Sequence, residues 1–576
     1  MIGLIAALSL AASPEDALLE KLFKSYLDRL LKQCPAQATQ LGDHRFDHLL
    51  DDLSPDGLKS REAMDPSALA SLRKEIDKSK LSRAAQIDYE ILEQSLLYGA
   101  WKSENERAWE ANPLAYNELI SDSVYLLFTQ STQPREVNIR NAAERIKAIP
   151  SIVAAARRML KSPPRVYTET AIARNRGAIA FYESGIFELS GEVPVKSPLK
   201  APCARAVAAL KEYQEFLEKE LLPRSKGEWR LGKEKFARKL EMELGSGRSA
   251  AEVYRDAEEE AKRVTSEMYV VARQLWHRAY PREPLPPDDP DGRRQAILKV
   301  LAHFNKDHGK VDGLLDEARD LSKKLRAFIK EKDILRLPDP DQCKIIEMPE
   351  FQRGYSVAYL NPAPPLDPKA SSFYAISPPP AGWDARKVES YLQEYNRAMM
   401  AILTIHEAYP GHYVQLEYAN RHPSLIRRVL QSGVFCEGWA VYTEQMMLDQ
   451  GFGGGDLVLR LNQLKFYLRA VINALLDHEM HCKEMTDEQA MDLLVKRGFQ
   501  SEGEALGKVT RAKLSSCQLS TYFVGRMAFY NLRRDIQKEM GPRFSLGRFH
   551  EAVLAHGSLP VKYLPELTRQ RLKEPR

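Results

Sequence analysis

The stretch Ile405-His406-Glu407-Ala408-Tyr409-Pro410-Gly411-His412-Tyr413-Val414-Gln415 decides how this chain is read. It starts as the helical pattern H-E-x-x-H, in which two histidines one turn apart share a face and bind zinc while the glutamate beside the first acts on water. It then departs from that pattern, because Pro410 occupies the fourth position after His406 and the second histidine arrives at the sixth. On a regular helix of about 100° per residue the two imidazoles would point about 120° apart, so a shared ion requires a deformed backbone between them. Pro410 lacks a backbone donor and Gly411 tolerates unusual dihedrals, which locates the deformation. A proline inside a helical run costs about 3 kcal/mol or more, so its presence marks a local constraint stronger than helix propensity.

Downstream, Cys436-Glu437-Gly438-Trp439-Ala440-Val441-Tyr442-Thr443-Glu444 offers a carboxylate at the start of a helix, among apolar and aromatic neighbours. His406, His412 and Glu437 as ligands would leave a fourth position open for water, as expected of a catalytic zinc site holding one Zn2+ ion. Glu444, seven residues after Glu437 and on nearly the same face, could accept from the other nitrogen of a ligating histidine. Glu407 is placed to take a proton from a metal-activated water. Taken singly, each of these residues also fits an ordinary hydrogen-bonded or surface role; their combination favours the metal.

A second cluster, Asp477-His478-Glu479-Met480-His481, has spacings of three and four that put side chains on one face. It reads either as a polar helix face or as a second metal site, with His481 also a candidate substrate contact. Arg511 could grip a carboxylate bidentately, and Tyr522 could donate to a developing oxyanion.

Around these motifs the pattern is helical. Apolar residues recur at three and four over Asp16–Lys32, Ala84–Trp101, Asn138–Lys161 and Ala250–Trp276, and again over Ala401–Asn420, Gly438–Gln450, Leu457–Glu484, Asp487–Arg497, Thr510–Lys538 and Arg548–His556. Between them, residues 335–383 are rich in proline and carry the strand-like runs Tyr355–Leu360 and Ser372–Ser377. The second run could pair with an extended peptide or merely close a small sheet. This predicts a mainly α, two-lobed architecture with a small β element before the metal-binding helix. An N-terminal helical lobe covers 14–330 and forms one wall of a deep channel, and a metal-binding helical lobe covers 331–576.

Composition supports a globular chain and names no ligand. Of 576 residues 44% are hydrophobic and 28% charged, and the net charge of +5 is too dilute to suggest a nucleic-acid partner. The six cysteines form no CxxC pair, so neither a thiolate zinc site nor a disulfide framework is signalled. The opening run MIGLIAALSLAA, with the small residues Ala11, Ala12 and Ser13 after it began apolar, reads as a signal peptide over 1–13, although no basic residue precedes it. It is too short to span a bilayer, so the expectation is a periplasmic or secreted protein with no integral membrane segment, or a cytoplasmic one if the run is not a signal.

The pattern His406-Glu407-x-x-Pro410-Gly411-His412-x-x-Gln415, followed by Glu437-Gly438-Trp439-Ala440-x-Tyr442-x-Glu444, resembles the bacterial proteins grouped as domain of unknown function 885. The resemblance extends to Asp477 with His481, to Arg511 with Tyr522 and Gly525, and to Phe549-His550 through Gly557 and Pro560. It implies a gluzincin-like fold similar to large helical metallopeptidases of the angiotensin-converting and thimet-oligopeptidase kind, with Gln415 joining Glu444 behind the ligands. The sequence departs from the family pattern at His478 and Glu479, where a Thr-Gly pair is expected, at Asn473, where an arginine is expected, and at Ala512 to Ser516. The expected function is a zinc-dependent peptidase cleaving oligopeptides. The alternatives are a metal-dependent hydrolase of a non-peptide amide or ester, and a non-catalytic helical peptide-binding protein.

Overall fold

The computed structural model describes residues 13–193, 195–348, 358–380 and 382–574. The apolar run at 1–12 and the first part of the strand expected at Tyr355–Leu360 lie outside them. The mainly α architecture is found, with one three-stranded sheet. Helix Ala250–Ala279 shows how the pattern builds it: Ser249 and Glu252 form a reciprocal capping box at its start. Its buried residues Val253, Ala257, Val264, Met268, Ala272 and Leu275 then recur at helical spacing and pack on helix Leu457–Cys482. The latter is buried on nearly every side, as suits a helix at the centre of a large core.

Among the described residues two hydrophobic cores form. The smaller gathers helices between Leu53 and Leu221, and the larger joins the first helices to residues 236–567. These cores do not follow the boundary expected near residue 330, because helix Ala250–Ala279 packs into the same core as the C-terminal half. Arg427, only 3% exposed, ties the first helices to that half through Asp88 at 2.5 Å and the Ala84 carbonyl at 3.1 Å.

In the sheet, strand β1 (Cys343–Glu347) runs parallel to β3 (Ser372–Ile376), and β2 (Ala358–Asn361) runs antiparallel to β3 on its other side. Of the two readings of the run Ser372–Ser377, closing the sheet is the one found, because both edges of β3 are taken by β1 and β2 and none is left for a peptide. Among the described residues β2 is the last strand of the sheet on that side. Tyr374 of β3 places its hydroxyl 3.1 Å from Thr404 Oγ1 and so locks the sheet to the helix carrying His406.

The helix expected over Thr510–Lys538 is two helices, Glu502–Leu514 and Thr521–Met540. Cys517, with φ of +69°, turns the chain between them, and no proline or glycine in the sequence announces it. Asp477 holds this turn, accepting from Cys517 N and from Ser520 Oγ, each at 3.0 Å.

Candidate metal centre

Helix Arg397–Glu407 ends at Ala408, where φ and ψ are −115° and −80°, and a new helix starts at His412 and runs to Asn420. The expected single helix over Ala401–Asn420 is thus broken where Pro410 and Gly411 stand. The Ala408 and Tyr409 amides both donate to Thr404 O, and the Gly411 amide donates to Ile405 O at 3.0 Å, closing a turn that runs from Ile405 to Gly411. Gly411 lies so close beneath the first helix that a Cβ there would sit 1.9 Å from His406 O. Two outside contacts pin the turn: Trp439 Nε1 donates to Pro410 O at 2.9 Å, and the Tyr409 hydroxyl reaches the Asp341 carboxylate at 2.8 Å. The result swings His412 back beside His406, with ring centroids 4.8 Å apart and planes at 88°.

Glu437 completes the group. Its Oε2 lies 3.4 Å from His412 Nε2 and 3.8 Å from His406 Nε2, and ligand atoms of the three residues all fall within 4.8 Å of one another. A tetrahedral zinc with bonds of about 2.0–2.1 Å has ligand atoms about 3.4 Å apart, so the His412–Glu437 pair already fits such an ion and the wider pairs would draw in on binding. Glu437 Oε2 is buried without a well-formed hydrogen bond, which a cation would satisfy. Among the described residues this is the one cluster of three or more His, Cys, Asp or Glu side chains that converges in this way.

The surrounding groups are set for this chemistry. His406 Nδ1 donates to Glu444 Oε1 at 2.7 Å, which leaves Nε2 with its lone pair toward Glu437. Burial, reinforced by His412 and only partly opposed by Glu437, lowers the His406 pKa to about 3, so the ring is neutral as a ligand must be. Burial would also depress His412, but its hydrogen bond and charge interaction with Glu437 raise it. Burial pushes Glu437 up, but His412, His406 and Tyr522 outweigh it and hold the carboxyl below its ordinary value. Glu407 accepts from Leu360 N at 2.9 Å and, chiefly through burial, has its pKa raised to about 7, with Glu437 adding to the rise. Glu444, fully buried, is pushed far up by burial, and the charges of Glu407 and Glu437 add to this while Arg526 offsets part of it. A divalent cation would relieve the repulsion among these three carboxylates.

Tyr522 reaches the centre because two helices touch. Gly438 and Gly525 sit face to face where helices Gly433–Asp449 and Thr521–Met540 cross, and a Cβ on Gly525 would lie 2.1 Å from Val434 O. That close approach sets Tyr522 beside Glu437, while Arg511 Nη2 donates to the Tyr522 hydroxyl at 3.2 Å and to Gln518 Oε1 at 2.8 Å. His406, His412, Glu437, Glu407, Glu444, Tyr522 and Arg511 are thus brought together.

His481 and Gln415 are not part of this group. The His481 ring packs on Trp229 and Phe236, its Nε2 is within 3.0 and 3.1 Å of the Ser515 and Ala512 carbonyls, and its Nδ1 accepts from Leu231 N. At 2% exposure it holds the Ala512–Ser515 turn and is not available to a substrate. Its partner in the expected pair, Asp477, is spent on the Cys517 turn, so no second metal site forms there. Gln415 donates to Ser558 Oγ instead of a ligating histidine. Sequence reasoning gave no role to Trp439 or Asp341 in fixing the turn, nor to the Leu360 amide that orients Glu407.

Away from the centre, His550 donates from Nδ1 to Ile334 O at 2.8 Å, and its Nε2 lies 2.8 Å from the Tyr442 hydroxyl, a pair of contacts that a neutral ring satisfies. Burial lowers its pKa to about 3, against about 6.5 in the unfolded chain. The unfolded state therefore binds the extra proton first, so this contribution to stability is complete above about pH 6.5 and is lost as pH falls toward the folded value. Between pH 7 and pH 5 the loss is about 2 kcal/mol from this group. Asp477, whose pKa burial raises to about 7, works in the opposite direction over the same range. Denaturant titrations of metal-free wild type and His550→Asn at the two pH values are expected to show a smaller acid-induced loss in the variant; equal losses would refute the assignment.

Residues 35–567 match the family described as bacterial protein of unknown function (DUF885), and the chain belongs to that family. A solved structure from Shewanella oneidensis, described as a candidate lipoprotein of unknown function, is 30% identical with a TM-score of 0.80, covering 97% of this chain and 100% of its own. A second, a candidate lipoprotein from Colwellia psychrerythraea, shares the fold at 17% identity and a TM-score of 0.78, covering 97% and 99%. No curated protein matches the sequence.

Proposed function

We propose that this chain is a metal-dependent hydrolase, with zinc held by His406, His412 and Glu437, that cleaves peptide bonds of oligopeptides. The observation that carries the reading is the convergence of His406 Nε2 and His412 Nε2 on Glu437 Oε2 across a broken helix, with Glu407 beside them. Bound there, the ion would lower the pKa of a water to about 7 and polarise a scissile carbonyl. Glu407 takes the proton from the attacking water and returns it to the leaving amine, and its raised pKa suits both duties. Tyr522, oriented by Arg511, donates to the oxygen that gains negative charge. The Leu360 amide points away from β3 toward Glu407, so β2 borders the reacting groups. The reading makes the fold a variation on the gluzincin theme. An extracytoplasmic location is part of the proposal, supported by the two candidate lipoproteins of the same fold; among the described residues no helix is long and apolar enough to cross a membrane.

Elemental analysis of purified protein after zinc reconstitution tests the reading. About one zinc per chain is expected in the wild type, with His406→Ala and His412→Ala each weakening binding beyond the about 10–100-fold that loss of an outer partner costs, the range expected for Glu444→Gln. A wild type that takes up no divalent metal would turn the reading toward a peptide-binding scaffold. A loaded protein that cuts amide or ester substrates but no peptide would keep the chemistry and change the substrate.

A further inference from the structure

Helix Glu502–Leu514 borders the candidate centre, packed between helix Leu457–Cys482 and helix Arg165–Ala180. Glu504, Lys508 and Arg511 follow one another along it at spacings of four and three, which put them on one face. Two of the three are partnered: Glu504 Oε1 accepts from Arg469 Nη1 at 2.5 Å, and Arg511 is fixed by Gln518 and Tyr522. Lys508 is not. It is 6% exposed, and among the described residues no carboxylate lies within 4.0 Å of its Nζ and no acceptor within hydrogen-bond reach. Burial, reinforced by the like charges of Arg469 and Arg511 and partly opposed by Glu504 and Glu437, holds its pKa well below the ordinary value for lysine.

A buried ammonium without a counter-ion is costly, and other buried or half-buried cations of this region have one: Lys465 has Glu394 at 2.7 Å, and Arg526 has Glu260 at 3.3 Å. The Lys508 amine, whose protonated form has no counter-ion until an anion arrives, stands beside the Arg511 guanidinium, which through Tyr522 is one side chain away from Glu437. We propose that Lys508 and Arg511 together receive a carboxylate of the substrate, so that cleavage falls at a fixed distance from that carboxylate. The inference rests on the hydrolase reading and narrows it to peptides bearing an anionic group. A planar carboxylate suits this pair, one oxygen taking the arginine fork and the other the compact ammonium. The carboxylate is either the free C-terminus, which would make the enzyme a C-terminal exopeptidase, or an aspartate or glutamate side chain.

The test uses pools of N-acetylated pentapeptides prepared as free acids and as C-terminal amides, each with and without Asp and Glu. The pools are presented to immobilised zinc-loaded wild type, Lys508→Met and Lys508→Arg, with bound and cut peptides read by mass spectrometry. Carboxylate-bearing peptides are expected to be enriched on wild type by about tenfold or more, the effect of one charge-assisted hydrogen bond. Lys508→Met should lose the enrichment while melting no lower than wild type, because no existing pair is broken, and Lys508→Arg should keep most of it. Enrichment of free acids over amides identifies the terminus, and enrichment that survives amidation and follows Asp and Glu identifies the side chain. Equal retention of every pool by wild type overturns the proposal, as does a preference that Lys508→Met leaves intact. Selective retention without cleavage leaves the carboxylate site standing and removes the hydrolase reading; cleavage without selectivity does the reverse.

Discussion

On the hydrolase reading, Glu407→Gln is expected to bind zinc as the wild type does and to lose turnover by about a thousandfold, within the about 10²–10⁴ that a positioned acid-base group contributes. The substitution is nearly isosteric, and the glutamine carbonyl can still accept from Leu360 N, now at 2.9 Å from Glu407 Oε2, so the loop carrying β2 should stay in place. What disappears is the proton acceptor. His406, His412 and Glu437 are untouched, and metal content measured alongside steady-state rates therefore separates two roles that a loss of activity alone would merge. If the variant also lost the ion, Glu407 would be a ligand and the assignment of Glu437 would need revision. If it kept turnover within about tenfold, the base would lie elsewhere, and that is a smaller effect than general-base catalysis supplies.

How much of this was legible in the sequence differs from residue to residue. The convergence of His406, His412 and Glu437 was readable because Pro410 and Gly411 announce the break that the six-residue spacing needs, and helical period predicted most of the long helices. Glu444 was readable because helical spacing from Glu437 fixes its face. The role of His481 was not, because its i,i+4 spacing from Asp477 says that two side chains share a face and nothing about the Ala512 and Ser515 carbonyls that meet it from another helix. Local periodicity was equally blind to the turn at Cys517, where tertiary hydrogen bonds to Asp477 override helix propensity. The position of Ser372–Ile376 in the sheet depended on strand order, which alternation of side chains does not encode. Lys508 carried no signal at all, since a lysine in an amphipathic helix reads as solvated until the surrounding helices are known.

On the same reading, Gly411→Ala is expected to remove zinc binding as thoroughly as deleting one of the three proposed ligands, although Gly411 is not among them. The backbone dihedrals at Gly411, −70° and −134°, are not in the left-handed region, so the requirement for glycine comes from space. A Cβ would stand 1.9 Å from His406 O, 2.3 Å from Ile405 O and 2.5 Å from His406 C. All three are main-chain atoms of the helix that presents His406, so no side-chain rotation can relieve the overlap. Either the turn opens, carrying His412 away from Glu437, or the last turn of the His406 helix shifts. Both break the convergence on which the site depends. A stability loss of about 3 kcal/mol and a fall in zinc affinity of more than about a hundredfold follow from overpacking against rigid backbone and from displacement of a ligand. Gly177→Ala supplies the contrast, because Gly177 lies within helix Arg165–Ala180 with no atom within 4 Å of its would-be Cβ. There the same substitution should stabilise by up to about 1 kcal/mol through helix propensity and leave zinc binding unchanged. Melting curves with and without zinc resolve the two: a Gly411→Ala protein that still gained stability from zinc as the wild type does would show that the turn can relax, and that the approach of Gly411 to His406 is not what holds the two histidines together.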